Sequence, residues 1–364
     1  MLKVPTIEIF SRFQVEYTVR ELQPLGNGHI NDTYLAIDEG GISRYVLQKI
    51  NRHVFKDVDI LQNNILTVTS HIKRKMEIKG QTHFFRETLT FLPAADGKYY
   101  YYDGENYWRV CLYIAGSKTH EDISPDLAYS AGKAFGKFQS LLSDIPEGAI
   151  RETIPHFHDM EFRLQQLDNA IEKDAVKRLF PIKTMVKDIR ERAQTLCLQT
   201  TLYREGKLKK RVNHCDTKVN NILFDNENKV LCVIDLDTVM PGFVLSDIGD
   251  FIRTACNTAT EDEKNIEKIG VNMDIFKAYT RGYIETARDF LTPLEIKLLP
   301  YGGRLMTGMQ TVRFLTDYLD GDTYYKIHFP EHNLQRTCAQ YQLWQKLDAV
   351  SIDMDKFMEQ FLSY

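Results

Sequence analysis

Hydrophobic and polar positions change rhythm about one third of the way along the chain. Before residue 116 they fall in short runs, 31–38, 44–50, 84–92, 98–102 and 107–114, rich in β-branched and aromatic residues. Turn residues separate them, and the Asp96-Gly97 and Asp103-Gly104 pairs are strong hairpin signals. One stretch differs. Ile60, Leu61, Ile65, Val68 and Ile72 recur every three or four positions and predict a helix over 58–76. After Gly116 the helical period takes over. Ser124-Pro125 reads as an N-cap with proline at the first helical position, ahead of the stripe Leu127, Ala131, Ala134, Phe138 and Leu141. Further helices are predicted over 159–174, 182–198, 272–290, 303–319 and 333–349. Thr260 with Glu263, and Thr292 with Glu295, have capping-box spacing. Runs 221–224 and 229–236 flank the polar turn Asp225-Asn226-Glu227-Asn228 and predict one hairpin. The expected class is α+β and bilobal: a small antiparallel-sheet lobe with one helix over 1–115, and a larger, mainly helical lobe carrying the hairpin over 116–364, with a hinge at 113–116. Clefts between such lobes are preferred ligand sites.

Composition narrows the function classes. With 364 residues, 43% of them hydrophobic and 26% charged, the chain can bury a large core. The net charge is −4 and there is no basic block, so nucleic acid is not an expected partner. The six cysteines form no C-x-x-C pair, which points to free thiols and a reducing compartment. No run approaches the ~18 apolar residues of a membrane span, and the N-terminus lacks a signal-peptide pattern. The expected address is the cytoplasm, with no membrane partner.

The chemistry concentrates in His214-Cys215-Asp216-Thr217-Lys218-Val219-Asn220-Asn221 and, past the predicted hairpin, Ile234-Asp235-Leu236-Asp237. Phosphoryl transfer needs positioning and charge neutralisation more than covalent help. One carboxylate must receive the proton of an attacking hydroxyl, while a second carboxylate and an amide oxygen hold Mg²⁺, a cation that takes few protein ligands. A hairpin brings its two ends together, so Asp216, Asn221 and Asp235 can converge. The other reading is a polar turn between buried strands. Earlier, Gly26-Asn27-Gly28-His29-Ile30-Asn31-Asp32-Thr33 opens a strand, and its glycines permit close approach of backbone to phosphates; a plain β-turn is the competing reading.

The H-x-D-x-x-x-x-N pattern followed by an I-D turn resembles the aminoglycoside phosphotransferase and choline kinase family, a branch of the protein-kinase-like fold. The resemblance implies ATP and Mg²⁺ as cofactors, Asp216 as catalytic base, Lys218 as the lysine that steadies the γ-phosphate, and Asn221 and Asp235 as metal ligands, with His214 structural. It further implies a nucleotide site drawn from Gly26, Gly28, Asn31, Thr33, Gln48 and Tyr113. One departure stands out. Kinases place a lysine on the third strand, paired to a glutamate on the next helix. Here Gln48 takes the inward position, Lys49 faces the other way, and 58–76 contains no glutamate. Either Gln48 hydrogen-bonds the phosphates or a register slip turns Lys49 inward.

Longer segments resemble one subgroup, the bacterial N-acetylhexosamine 1-kinases: GNGHINDTYL at 26–35, YVLQKIN at 45–51, IPHFHD at 154–159, HCDTKVNNIL at 214–223, IDLDTVMPG at 234–242, SDIGDFIR at 246–253, VRFLTDYLDGDTYY at 312–325 and FPEHNLQRT at 329–337. This implies phosphorylation of N-acetylglucosamine or N-acetylgalactosamine on the anomeric hydroxyl. Asp216, Arg313, Tyr324 and His29 are then the expected acceptor-binding residues. Arg313 has a plainer reading, an ion pair with Asp317 four residues along a helix. His156-Phe157-His158-Asp159 reads either as metal ligands or as a helix start capped by Asp159. Alternatives at the level of function are another small-alcohol kinase, for aminoglycosides, choline or homoserine, or a non-catalytic kinase-like binding protein.

Overall fold

The computed structural model describes residues 7–26, 31–80 and 84–362. The first part runs β1 (Val19–Pro24), β2 (Asp32–Asp38), β3 (Ser43–Ile50), α1 (Val58–Ile78), β4 (Tyr101–Tyr102) and β5 (Tyr107–Leu112). Then come α2 (Pro125–Leu142), α3 (Met160–Lys173), α4 (Lys183–Ala193), α5 (Leu198–Arg204), β6 (Arg211–Asn213), β7 (Ile222–Phe224), β8 (Val230–Val233) and β9 (Met240–Gly242). The chain finishes with α6 (Val244–Ala255), α7 (Met273–Ala287), α8 (Pro293–Leu319), α9 (His332–Ala349) and α10 (Ser351–Glu359).

Packing divides the chain into two compact units. The first holds Met1–Thr119, Leu141–Pro155 and Asn221–Met240; the second holds His120–Ser140, His156–Asn220 and Pro241–Tyr364. The cut expected after residue 115 lies four residues from the end of the first segment, and two later segments, including the β7–β8 hairpin, pack with that N-terminal unit.

In the first unit five strands form one sheet in the order β1-β2-β3-β5-β4, with antiparallel pairing throughout. Alternation along β3 puts Tyr45 and Leu47 into a core with Phe10, Phe13, Tyr34, Ala36, Trp108 and Val110. Gln48 pairs across to Arg109 on the opposite face. Helix α1 starts at its cap Asp57, which accepts from Ile60 N, and buries Leu61, Ile65, Val68 and Ile72 of the expected stripe, while Ile60 is half-buried.

Two elements here depart from expectation. The expected strand 84–92 is instead a single helical turn, Phe84–Arg86, followed by an isolated bridge from Phe91 to Cys111; Pro93 lacks the N–H needed to extend it. Strand β1 carries no alternation to read, because as an edge strand it buries only Val19 fully.

In the second unit α8 packs against α3, α4, α6, α9 and α10. It begins ten residues before the expected start. The capping box of Thr292 and Glu295 is formed, and Pro300 and Gly302, which look like breakers, lie inside the helix. Gly302 allows contact between α6 and α8, since a Cβ there would sit 2.2 Å from the Leu245 carbonyl oxygen. Helix α6 was not anticipated. Val244, Leu245, Ile248, Phe251 and Ile252 do repeat at helical spacing, and every residue from Val244 to Arg253 is buried, the polar face included. Thr260 caps no helix. Its carbonyl accepts from Glu263 N at 3.2 Å in a turn, and α7 starts later, capped by Asn272.

Candidate functional site

In the second unit the loop after β6 is built from below by α6. Asp247 accepts from the backbone N–H groups of His214 and Cys215, both at 2.8 Å, and from the Gln139 amide at 2.7 Å. Burial pushes its carboxyl up to about 7, against these donors, which favour the carboxylate. Asp250, one turn on, accepts from Thr217 N at 3.1 Å and pairs with Arg253 at 3.0 Å. The His214 ring is fully buried edge-on to Phe135 and Phe138, with centroids 5.5 and 5.9 Å away, and its Nδ1 accepts from Asp216 N at 3.3 Å. Cys215 turns the chain in the left-handed region at φ 64°. The result is a rigid loop whose Asp216 carboxylate stays partly open, 22% exposed, with the Lys218 ammonium 2.9 Å away. That carboxylate holds Lys218 above its ordinary pKa.

A second group lies in the same unit. The Arg313 guanidinium is 5.5 to 5.7 Å from the ring centres of Phe157, Tyr324 and Tyr325, and donates to Gln310 at 3.1 Å. Asp317 is not its counter-ion. That carboxylate accepts from the N–H groups of Thr323, Tyr324 and Tyr325 and from the Asn333 amide, at 2.7 to 3.0 Å, and so shapes the loop that carries Tyr324. His158 is half-buried beside this group. Burial, helped by the Arg313 and Arg163 cations, pushes its imidazole down to about 3, while Asp216 acts in the opposite sense. Its Nδ1 has no hydrogen-bond partner among the described residues. Asp159 caps α3 by accepting from Phe162 N at 3.1 Å and pairs with His156 at 2.8 Å, so the H-x-H-D segment forms a helix start. Among the described residues no group of three or more His, Cys, Asp or Glu side chains could hold a metal ion.

In the first unit, the β7–β8 register pairs Ile222 with Val233, and Asn221 O accepts from Ile234 N at 2.9 Å. Asn221 and Asp235 therefore stand at the same open end of the hairpin. Both offer hard oxygen donors, the kind Mg²⁺ takes, and Asp235 is exposed. Thr33 and Gln48 are register partners, with Gln48 Nε2 donating to Thr33 Oγ1 at 3.3 Å. Asn31 is buried and accepts from Asn51 N at 2.9 Å. Lys49 points away and sits 3.7 Å from Asp32, half exposed. Gly26 takes a left-handed φ of 71° in the β1–β2 turn. Tyr113 donates its N–H to Arg44 O just after β5. Gly28 and His29 lie outside the described residues.

Sequence reasoning missed Arg109. It is 2% exposed, donates from Nε to Gln48 at 2.9 Å and reaches Asp237 with Nη2 at 2.6 Å. Its signal was a cation in the middle of an apolar strand run. Asp247 and Asp250 were missed as well, though their i,i+3 spacing would put both on one face of a helix. None of the six cysteines is joined in a disulfide, and burial pushes the Cys111 thiol up to about 12. Among the described residues no helix is long and apolar enough to cross a membrane.

The model of the phosphotransferase enzyme family, APH, matches residues 21–289. Solved structures share the fold at low identity. An aminoglycoside phosphotransferase from Alicyclobacillus acidocaldarius aligns over 98% of each chain, with a TM-score of 0.61 and 11% identity. The choline kinase of Cryptosporidium parvum aligns over 98% of this chain and 99% of its own, with a TM-score of 0.58 and 14% identity. A spectinomycin phosphotransferase in complex with ADP and spectinomycin covers 95% and 97%, with a TM-score of 0.58 and 12% identity. The five-stranded antiparallel sheet followed by a mainly helical part is thus a protein-kinase-like α+β fold. With most of its length matched, the chain belongs to the APH family of phosphotransferase enzymes.

Proposed function

We propose that this phosphotransferase moves the γ-phosphoryl group of ATP onto the anomeric hydroxyl of an N-acetylhexosamine. The observation that carries the reading is the Asp216 carboxylate: partly open, 2.9 Å from Lys218, on a loop whose backbone is pinned by Asp247 and Asp250. A base must be fixed yet reachable, and this one is both. The carboxylate takes the proton of the acceptor hydroxyl. The acceptor oxygen forms the new bond to the γ-phosphorus, the bond to the β,γ-bridging oxygen breaks, and ADP leaves. Lys218 offers its charge to the γ-phosphoryl oxygens. Asn221 and Asp235 are the residues that would hold Mg²⁺, which neutralises phosphate charge when bound.

Gly26, Gly28, Asn31, Thr33, Gln48 and Tyr113 are the nucleotide residues in this reading. Arg313, Tyr324 and His29 serve the acceptor. Support for a sugar comes from Arg313, whose fork of donors lies among aromatic rings, since sugars present both oxygens and apolar faces. The same cation argues against choline or an aminoglycoside as acceptor. The subgroup motifs quoted above select the hexosamine and its C1 hydroxyl, and the free thiols suit a reducing cytoplasm. The test is to incubate the protein with ATP, Mg²⁺ and a panel of sugars, choline and aminoglycosides, and to read the product by phosphorus NMR. An N-acetylhexosamine 1-phosphate is expected. A phosphate on C6, or turnover of choline alone, would overturn the assignment.

A further inference from the structure

The lysine and glutamate that kinases use to tie the sheet and its helix to the phosphates have no counterpart at Gln48 or along the buried face of α1. Glu77 lies exposed at the helix end. The first unit holds a different set of ties, and all of them end on one turn. Residues 236–238 form a single helical turn after Asp235, which itself sits in the left-handed region at φ 58°. Asp237, 2% exposed, holds Oδ1 2.6 Å from Arg109 Nη2 in an ion pair and accepts from the Asn31 amide on Oδ2. Its carbonyl accepts from Thr153 Oγ1 at 3.2 Å. From α1, Asn64 donates to Val239 O at 3.0 Å and to Arg151 O at 2.7 Å. On the other side Ile234 N is held by Asn221 O. Asp235 is the exposed residue between two fastened points.

We propose that Arg109 and Asp237 form a buried clamp that aims Asp235 at its divalent cation, doing from β5 what a strand lysine and helix glutamate do in other kinases. This rests on the reading of Asp235 as a metal ligand. Three features carry it. A non-glycine residue in the left-handed region keeps that conformation only when its surroundings over-determine it. Asp237 is 2% exposed, with Oδ2 accepting from Asn31 and Oδ1 facing the Arg109 guanidinium in an ion pair, so a cation reaches the exposed Asp235 more readily. A buried ion pair stabilises little relative to apolar side chains of similar volume, and this one leaves Arg109 Nη1 without a hydrogen-bond partner among the described residues. Its contribution is therefore geometric. Arg109 and Asp237 are positioning residues, as outer-shell partners of metal ligands are.

The experiment measures Mn²⁺ binding by the full chain in the presence of ADP, by electron paramagnetic resonance, alongside thermal unfolding. The proteins are wild type, Arg109→Met, Asp237→Asn and the double variant Arg109→Met/Asp237→Leu. Removing one partner strands a buried charge and can unfold the chain, whereas the double variant replaces the pair with apolar groups and retains the fold. Mn²⁺ affinity is expected to fall roughly 10- to 100-fold in the double variant and in any folded single variant. The KM for the acceptor should stay within about twofold. Unchanged Mn²⁺ affinity in a folded double variant would reduce the clamp to a structural brace and overturn the proposal. If wild type binds no Mn²⁺ with ADP, the metal reading of Asp235 fails first, and the clamp with it.

Discussion

Asp317→Ala separates two accounts of the acceptor region. If Asp317 were the counter-ion of Arg313, its loss would free a surface cation at little cost. The structure instead gives the carboxylate four donors, three backbone N–H groups of residues 323–325 and the Asn333 amide, in a site 4% exposed. Hydrogen bonds to a charged acceptor contribute about 1.5–3 kcal/mol each, so four give at least roughly 6 kcal/mol gross. Rehydration of the released amides, and the end of desolvating a charge, offset part of this. The net loss should be about 3–4 kcal/mol. Urea denaturation measures it. The functional consequence is specific, because the freed segment carries Tyr324. In the sugar assay KM for the acceptor should rise by ~10-fold or more, equivalent to about 1.4 kcal/mol of lost binding, with KM for ATP nearly constant. A stability change below about 1 kcal/mol with an unchanged acceptor KM would refute the reasoning and restore the simple ion pair.

Asp216→Asn keeps shape and removes the base: kcat should fall by about 10² to 10⁴, while ADP affinity measured by calorimetry holds, and retained turnover would sink the base assignment. Gln48→Lys restores the usual strand lysine by sequence, but here it sets an ammonium where Gln48 accepts from the buried Arg109 at 2.9 Å; stability should drop by about 2–4 kcal/mol and activity should fall, both readable in one urea and rate series. His158 is neutral in the fold, its pKa down from 6.5 to about 3. The unfolded chain binds its proton first, so stability is full above pH ~6.5 and is lost as pH falls towards 3, by up to about 1.4 kcal/mol per pH unit. In His158→Phe this part of the pH dependence should vanish from denaturation curves taken between pH 4 and 7.

Local chemistry made much of the fold legible. The stripe in 58–76, the Thr292–Glu295 cap and the Asp225–Asn228 turn each depend on neighbours in the chain, and each appears where expected. Short separation also places Lys218 2.9 Å from Asp216, and puts Asn221 and Asp235 at one end of a short hairpin. Other features depend on partners far along the chain. Helix α6 buries its polar face as well as its apolar stripe, and only the fold shows that its Asp247 and Asp250 shape the loop that presents Asp216. Pro300 and Gly302 read as breakers, yet both lie inside α8, and α6 packs against Gly302. Asp317 has the i,i+4 spacing for Arg313, but the loop amides compete for the same oxygens at shorter reach.

By itself, then, the sequence carried much of the helix and strand grammar and the residues proposed for the catalytic loop, while the choice between Gln48 and Lys49 was decided by the β3 register. Only the tertiary structure decided where the buried cation of the sheet stands. Pairing of β3 with β5 sets Arg109 beside Gln48, and the hairpin's return brings Asp237 to it, although 128 positions separate the two residues (237 − 109). An ion pair of that separation leaves no periodicity in the chain, because its geometry is a property of the packed sheet and turn together.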